Sequence, residues 1–193
     1  MLAYNEATVR KVIIYEDQPY EVMASHVFRK QQRKPVNATK LKNMITGRVV
    51  EVSFQVSDKI EEADLERRPT KFIYAAKGEY WFHPANKPSD RFTLSPDMIG
   101  DQVKWLSAGD TVDALVFTYD DEEKIIGVKL PIKMDFKIKE TVPAVKGNTA
   151  TGASKMAILE NGTEIYVPLF INEGDTIKIN TETGEYVERA EKS

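Results

Sequence analysis

Turn signals recur at short, nearly even intervals along this chain, and the apolar residues between them alternate with polar ones. That spacing leaves little room for helices and points to short strands, hence to barrels or sandwiches. Val12-Ile13-Ile14-Tyr15 runs into a turn at Glu16-Asp17-Gln18-Pro19, after which Tyr20-Glu21-Val22-Met23-Ala24 reads as a strand. Val50, Val52 and Phe54 share one face of a later strand, and Lys71–Tyr74 and Glu79–Phe82 flank Lys77-Gly78 as a hairpin. Thr111–Tyr119 alternates again, and Asp120-Asp121-Glu122-Glu123 reads as a solvated turn before Lys124–Val128. Asn161-Gly162 is the strongest short hairpin signal, because both residues tolerate positive φ. Ile165, Val167 and Leu169 follow at period two, and Thr183-Gly184 marks a last hairpin. One short helix is expected at Ser95–Gly100, with Ser95 as cap, Pro96 in the first helical position and Asp97 at the positive end of the dipole.

Prolines suggest where the strands group. Glu66-Arg67-Arg68-Pro69 separates a first run from a second, and Leu130-Pro131 the second from a third. The expected architecture is all-β, with three tandem small barrels at residues 1–66, 67–129 and 130–193. Barrels of about 60 residues lie near the lower limit for a self-sufficient core, and closure hides their strand edges. No apolar run approaches the roughly 20 residues that span a bilayer. Met1–Glu6 lacks the basic and apolar regions of a signal peptide. The absence of cysteine excludes a disulfide framework and a cysteine zinc site. A cytoplasmic monomer is expected.

Little in the chain reads as catalytic. Gly147-Asn148-Thr149-Ala150-Thr151-Gly152 has the glycine separation of a phosphate-binding loop, but the lysine that must reach the β/γ-phosphates would fall at Ala153. The following Met156–Leu159 reads as a strand rather than the helix whose N-terminus would hold the phosphates. His26 and His83 have no partner at metal-ligand spacing, no serine sits in a nucleophile elbow, and paired carboxylates such as Asp120-Asp121 lie in turns. No catalytic residue, metal or cofactor is expected.

Charge is more informative. The formal net charge is −3, yet Val22–Val50 contains no acidic residue and carries Arg29, Lys30, Arg33, Lys34, Lys40, Lys42 and Arg48. A basic module on an acidic chain docks onto phosphates without making the whole protein adhesive. Its centre is the turn Arg29-Lys30-Gln31-Gln32-Arg33-Lys34, between strands expected at Tyr20–Phe28 and Val36–Met44. At about 3.3 Å per residue, a long hairpin carries such a tip well beyond its barrel.

Three stretches make the reading specific. The first runs from Val22-Met23-Ala24-Ser25 to Lys40-Leu41-Lys42-Asn43-Met44-Ile45-Thr46-Gly47. The second is Ile99-Gly100-Asp101-Gln102-Val103-Lys104-Trp105-Leu106. The third comprises Lys155-Met156-Ala157, Gly162, Val167–Asp175 and Gly184-Glu185-Tyr186-Val187-Glu188-Arg189. In order and spacing they resemble bacterial elongation factor P over nearly the whole chain. The resemblance implies an N-terminal SH3-like (KOW-type) barrel followed by two OB-type barrels. It also implies binding to the ribosome between the peptidyl and exit sites, beside peptidyl-tRNA, and relief of stalling at consecutive prolines. The ribosome does the chemistry, and the factor lowers the entropic part of the barrier by positioning the tRNA.

By the same resemblance the tip loop, Arg29 to Lys34, faces peptidyl-tRNA, while Lys40 and Lys42 face rRNA or tRNA backbone. Gly100, Asp101 and Lys104 face the small subunit and exit-site codon region, and Tyr186 and Arg189 lie near the small subunit and the tRNA. Ribosomal proteins near the exit site complete the expected partners. Family members usually carry a modified lysine or arginine between glycines at the tip. Here Gln32 stands in that place, with Gln31 and Arg33 for the glycines and Lys30 for the usual proline. Glutamine cannot be lysylated, hypusinated or rhamnosylated in the family's manner, so an unmodified tip is expected. Two other functions compete: a divergent paralogue with another stalling spectrum, and a general OB-fold RNA binder. The latter usually presents exposed aromatic platforms, whereas the aromatics here mostly fall at core positions of strands. Trp105 is as readily a core residue as a contact.

Overall fold

The computed structural model describes residues 1–29, 33–143 and 154–190, which form three consecutive antiparallel sheets. The first holds β1 (Leu2–Ala3), β2 (Val12–Tyr15), β3 (Gln18–Phe28), β4 (Val36–Asn43), β5 (Val49–Gln55) and β6 (Lys59–Glu62), in the order β1-β6-β2-β3-β4-β5. The second holds β7 (Leu65–Ala76), β8 (Glu79–Pro84), β9 (Phe92–Leu94), β10 (Thr111–Tyr119) and β11 (Glu122–Lys129). Helix α1 (Pro96–Ile99) and a 3-10 turn (Gly100–Trp105) link β9 to β10. The third holds β12 (Lys133–Thr141), β13 (Ser154–Leu159), β14 (Glu164–Pro168), β15 (Thr176–Asn180) and β16 (Glu185–Arg189). Both five-stranded sheets share one order, with the first strand central, the second and third to one side, and the fourth and fifth to the other. That is the strand order of a partly open OB-type barrel. The fold is all-β, an SH3-like barrel followed by two OB-type barrels. Among the described residues no helix is long and apolar enough to cross a membrane.

Local chemistry explains most turns. Glu16-Asp17, Lys77-Gly78 and Asp120-Asp121 each place both residues at positive φ, between 49° and 79°. Two such residues match the twist of the flanking strands in a two-residue hairpin. The acidic turn is therefore shorter than its sequence implies, because Glu122 and Glu123 pair with Tyr119 and Thr118 inside β11. At Asn161-Gly162 only Gly162 has positive φ, at 85°, and Gly162 N–H donates to the Leu159 carbonyl at 2.9 Å. The expected helix forms with Pro96 first and Asp97 in its first turn, but the Ser95 side chain makes no capping bond. Met98 N–H donates instead to the Ser95 backbone carbonyl at 3.1 Å.

Pro69 lies inside β7, opposite Asp113 of β10, rather than between runs of strands. Its carbonyl accepts from Ala85 N–H at 2.9 Å, just past the end of β8. In an antiparallel strand a residue's N–H and C=O point to the same neighbour, so the missing N–H falls where the β8 ladder stops.

The core is unevenly divided. Leu2, Ile13, Tyr20, Val22, Leu41, Phe54 and Ile60 fill the first barrel. One continuous cluster runs through the second and third, from Phe72, Phe82 and Leu94 through Trp105 to Phe136, Ile138, Leu159 and Ile177. Trp105 is 2% exposed, and its ring lies 5.4 Å from that of Phe136. The first barrel seats on the second through Phe117 and Ile126, against which Val12, Ile14, Met44 and Ile45 pack. Tyr119 also donates to Asp17 at 2.8 Å across this junction, and the neighbouring carboxylate raises the phenol pKa.

Gly127 shows how closely α1 is pressed onto β11. A Cβ there would stand 3.0 Å from the Met98 carbonyl oxygen. Gly127→Ala is expected to destabilise by about 1–3 kcal/mol through overpacking, read as a lower urea midpoint at unchanged slope.

Candidate nucleic-acid interface

The basic stretch folds into the β3–β4 hairpin, which pairs from Tyr20↔Asn43 to Phe28↔Val36. A bulge at Met23 adds a residue to β3 and turns that side chain out, at 47% exposure. Beyond the bulge, Ser25 pairs with Thr39 and His26 with Ala38. The inward-facing set is partly polar and fully satisfied. Buried Asn37 donates through Nδ2 to the Tyr4 carbonyl at 2.7 Å and the Ala7 carbonyl at 3.1 Å, and accepts from Ser25 Oγ at 3.0 Å. Thr39 Oγ1 donates to the Val52 carbonyl at 2.8 Å. At the base, Asn43 Oδ1 accepts from the N–H groups of Ile45 and Thr46 at 2.8 and 2.9 Å, which shapes the turn into β5.

The hairpin does not extend alone. β5 accompanies β4 up to Gln55, opposite Val36. The hairpin is thus supported on three strands up to its last pair, Phe28↔Val36. Lys30, Gln31 and Gln32 lie outside the described residues, as do residues 147–153 of the near-miss phosphate loop, whereas Met156–Leu159 is strand as expected. Arg29, Arg33 and Lys34 are exposed. Arg29 Nε donates to the Arg33 carbonyl at 3.0 Å, which ties the two ends of the tip together.

The two strand lysines part company. Lys40 is exposed on the outer face opposite Glu51. Lys42 is half-buried and lines a cleft between the three sheets. Gly100, Asp101 and Lys104 line the same cleft, with Arg10 from the first barrel and Glu182 from the third. The structure thus sets Lys42 and the 3-10 turn around one cleft, an arrangement that nothing local in the chain announces. Gly100 sits at φ 69° where α1 ends, and its N–H donates to the Pro96 carbonyl. Any other residue there is strained. Lys104 Nζ stands 5.1 Å from the centre of the Trp105 ring, and its carbonyl accepts from Asn161 Nδ2 at 2.9 Å and Thr163 Oγ1 at 3.1 Å. The hairpin turn of the third barrel therefore clasps the 3-10 turn of the second.

Tyr186 and Arg189 stand apart from both groups, on β16. Tyr186 packs half-buried against the core shared by the second and third barrels. Arg189 Nη2 donates to Asp175 Oδ1 at 2.6 Å. The histidines are also separate: His83 Nδ1 donates to the Pro84 carbonyl at 2.7 Å, and His26 stacks on Phe28. Asn37, Asn161 and Thr163 are the positioning residues that sequence reasoning missed. Each is a polar side chain whose partner lies far along the chain, and only Asn161 carried any signal, as a turn residue.

Comparison with known proteins is consistent along the chain. Residues 9–60 match the family described as elongation factor P (EF-P) KOW-like domain, and residues 134–189 the family described as elongation factor P, C-terminal. A protein named elongation factor P from Chloroflexus aurantiacus is 41% identical over 180 residues, covering 92% of this chain and 93% of that one. One of the same name from Persephonella marina is 36% identical over 188 residues, covering 97% and 96%. Among solved structures, eukaryotic translation initiation factor 5A from Methanococcus jannaschii aligns over 66% of this chain and 92% of its own at a TM-score of 0.47 and 13% identity, too loose a likeness to carry weight. At such identity over so much of both sequences, the chain belongs to the elongation factor P family.

Proposed function

We propose that this translation elongation factor binds the ribosome between the peptidyl and exit sites, holds peptidyl-tRNA, and speeds peptide-bond formation where consecutive prolines stall it. Family membership supports its place in translation. The observation that carries the RNA-facing part is the acid-free β3–β4 hairpin, whose end exposes Arg29, Arg33 and Lys34 beyond a three-stranded support. Cations in that setting neutralise phosphates and release counterions. A rigid support loses little entropy on docking, and holding a reactant in place accelerates a reaction that the ribosome itself performs.

In this reading the chain works as a cytoplasmic monomer of three modules divided at 66/67 and 129/130. Its partners are rRNA, ribosomal proteins near the exit site, and peptidyl-tRNA. Lys40 and Lys42 follow RNA backbone, Gly100, Asp101 and Lys104 face the small subunit and exit-site codon region, and Tyr186 and Arg189 lie near the small subunit and tRNA. Gln32 acts as an unmodified amide, whose two donors and one acceptor bridge a phosphate or ribose and a base edge.

A polyproline reporter translated with purified protein of verified intact mass tests this. Unmodified protein is expected to restore full-length product, and Gln32→Ala to restore clearly less. No rescue by the wild-type protein overturns the polyproline reading. Equal rescue by Gln32→Ala overturns the role given to the amide.

A further inference from the structure

We propose that His26 and Phe28 form a stacking platform for an unpaired nucleobase of single-stranded RNA, beside the cations that hold the RNA's phosphates. The proposal rests on the RNA-facing reading of the hairpin and adds a base-binding site to it. Beyond the Met23 bulge Ser25 and Val27 share the face of buried Thr39 and Asn37, which they pair with, though Val27 itself is exposed. His26 and Phe28 therefore lie together on the outer face, two residues apart on one strand. Their rings are stacked, with centroids 5.9 Å apart and planes 17° from parallel. His26 is exposed and Phe28 half-buried.

Their surroundings are favourable to RNA. Val36 and Ala38 lie opposite the two rings and flank them with small apolar surface. Arg29 follows Phe28 directly, Lys34 lies two residues before Val36, and Lys40 sits on the same outer face. From Val22 to Val50 no acidic residue intervenes; on the neighbouring strand Glu51 stands opposite Lys40, and Asp58 accepts from the N–H of Gln55, across from Val36. Flat rings beside a row of cations match the π-faces and phosphates of a single strand. A second surface pair, exposed Tyr74 and half-buried Trp81, stacks at 5.9 Å on β7 and β8. Strand alternation puts Glu79 on one face with Trp81, so the pair's own two strands are not free of acidic residues as β3 and β4 are from Val22 onward. Most aromatics do fill the cores, as their strand positions imply, but the hairpin keeps one pair outside.

The test uses the full chain and two labelled probes of equal charge, a single-stranded RNA hexamer and the same hexamer with abasic riboses, followed by fluorescence anisotropy across a salt titration. Wild type is expected to bind the base-bearing hexamer about 5- to 100-fold more tightly, the range of one base stacked on an aromatic ring. His26→Ser with Phe28→Leu is expected to erase that preference and keep the salt slope. Equal affinity for the two probes, or a preference that survives in the double variant, overturns the platform. Binding that is weak and insensitive to salt for both probes overturns the RNA-facing reading itself. Circular dichroism of the double variant checks that it folds, and His26→Ser alone, at an exposed position, repeats the measurement without touching half-buried Phe28.

Discussion

Trp105→Ala is expected to destabilise the protein by about 3–5 kcal/mol, the cost of emptying a large aromatic site in a packed core. That shifts the folding equilibrium by between about a hundredfold and a few thousandfold. Trp105 is 2% exposed and belongs to the cluster that the second and third barrels share. Its loss therefore weakens both at once, and the urea transition should move as a block for the two barrels. Far-UV circular dichroism reads the whole chain, and Trp81, the one tryptophan left in the variant, reads the middle barrel. Tyr119→Phe is the matched control. It removes only the exposed bond to Asp17 and should leave the urea midpoint nearly unchanged. A Trp105→Ala protein that melts like wild type would remove the shared core as the reason the two barrels hold together.

Reversing two charges at the hairpin end should have the largest effect on binding. Arg33 and Lys34 are exposed beyond the last strand pair. Each phosphate that goes without its cation is expected to lower the slope of log affinity against log salt by about one unit. Arg33→Glu with Lys34→Glu should then bind ribosomes far more weakly at low salt and lose about two units of slope. Across a fourfold rise in salt, its affinity should fall about sixteenfold less than wild type does. Filter binding to ribosomes carrying peptidyl-tRNA, at four or more salt concentrations, measures both. An unchanged slope would place these cations in solvent.

Much of this architecture is legible in the chain because its determinants are local. Positive φ at Glu16-Asp17 or Lys77-Gly78 is written in two adjacent residues, and strand alternation in five or six. Pro69 is ambiguous for the same reason. Proline reports a missing N–H, and only the ladder with β8 shows that the gap lies beside the strand rather than along the chain. The site divides in the same way. Exposure of Arg29, Arg33 and Lys34 follows from a polar turn between strands, whereas the shared cleft of Lys42, Asp101 and Lys104 depends on how three sheets settle together. Asn161 reads as a turn residue, and the bond that gives it a second task is made to a carbonyl 57 residues away.

The companion strand of the hairpin has a mechanical consequence. β4 is held on both flanks up to Val36, so deflecting its end means shearing two ladders at once. Direction is then a property of the sheet, and contact chemistry a property of the loop. Substitutions beyond the last pair alter contact chemistry and leave the direction set by these strands unchanged.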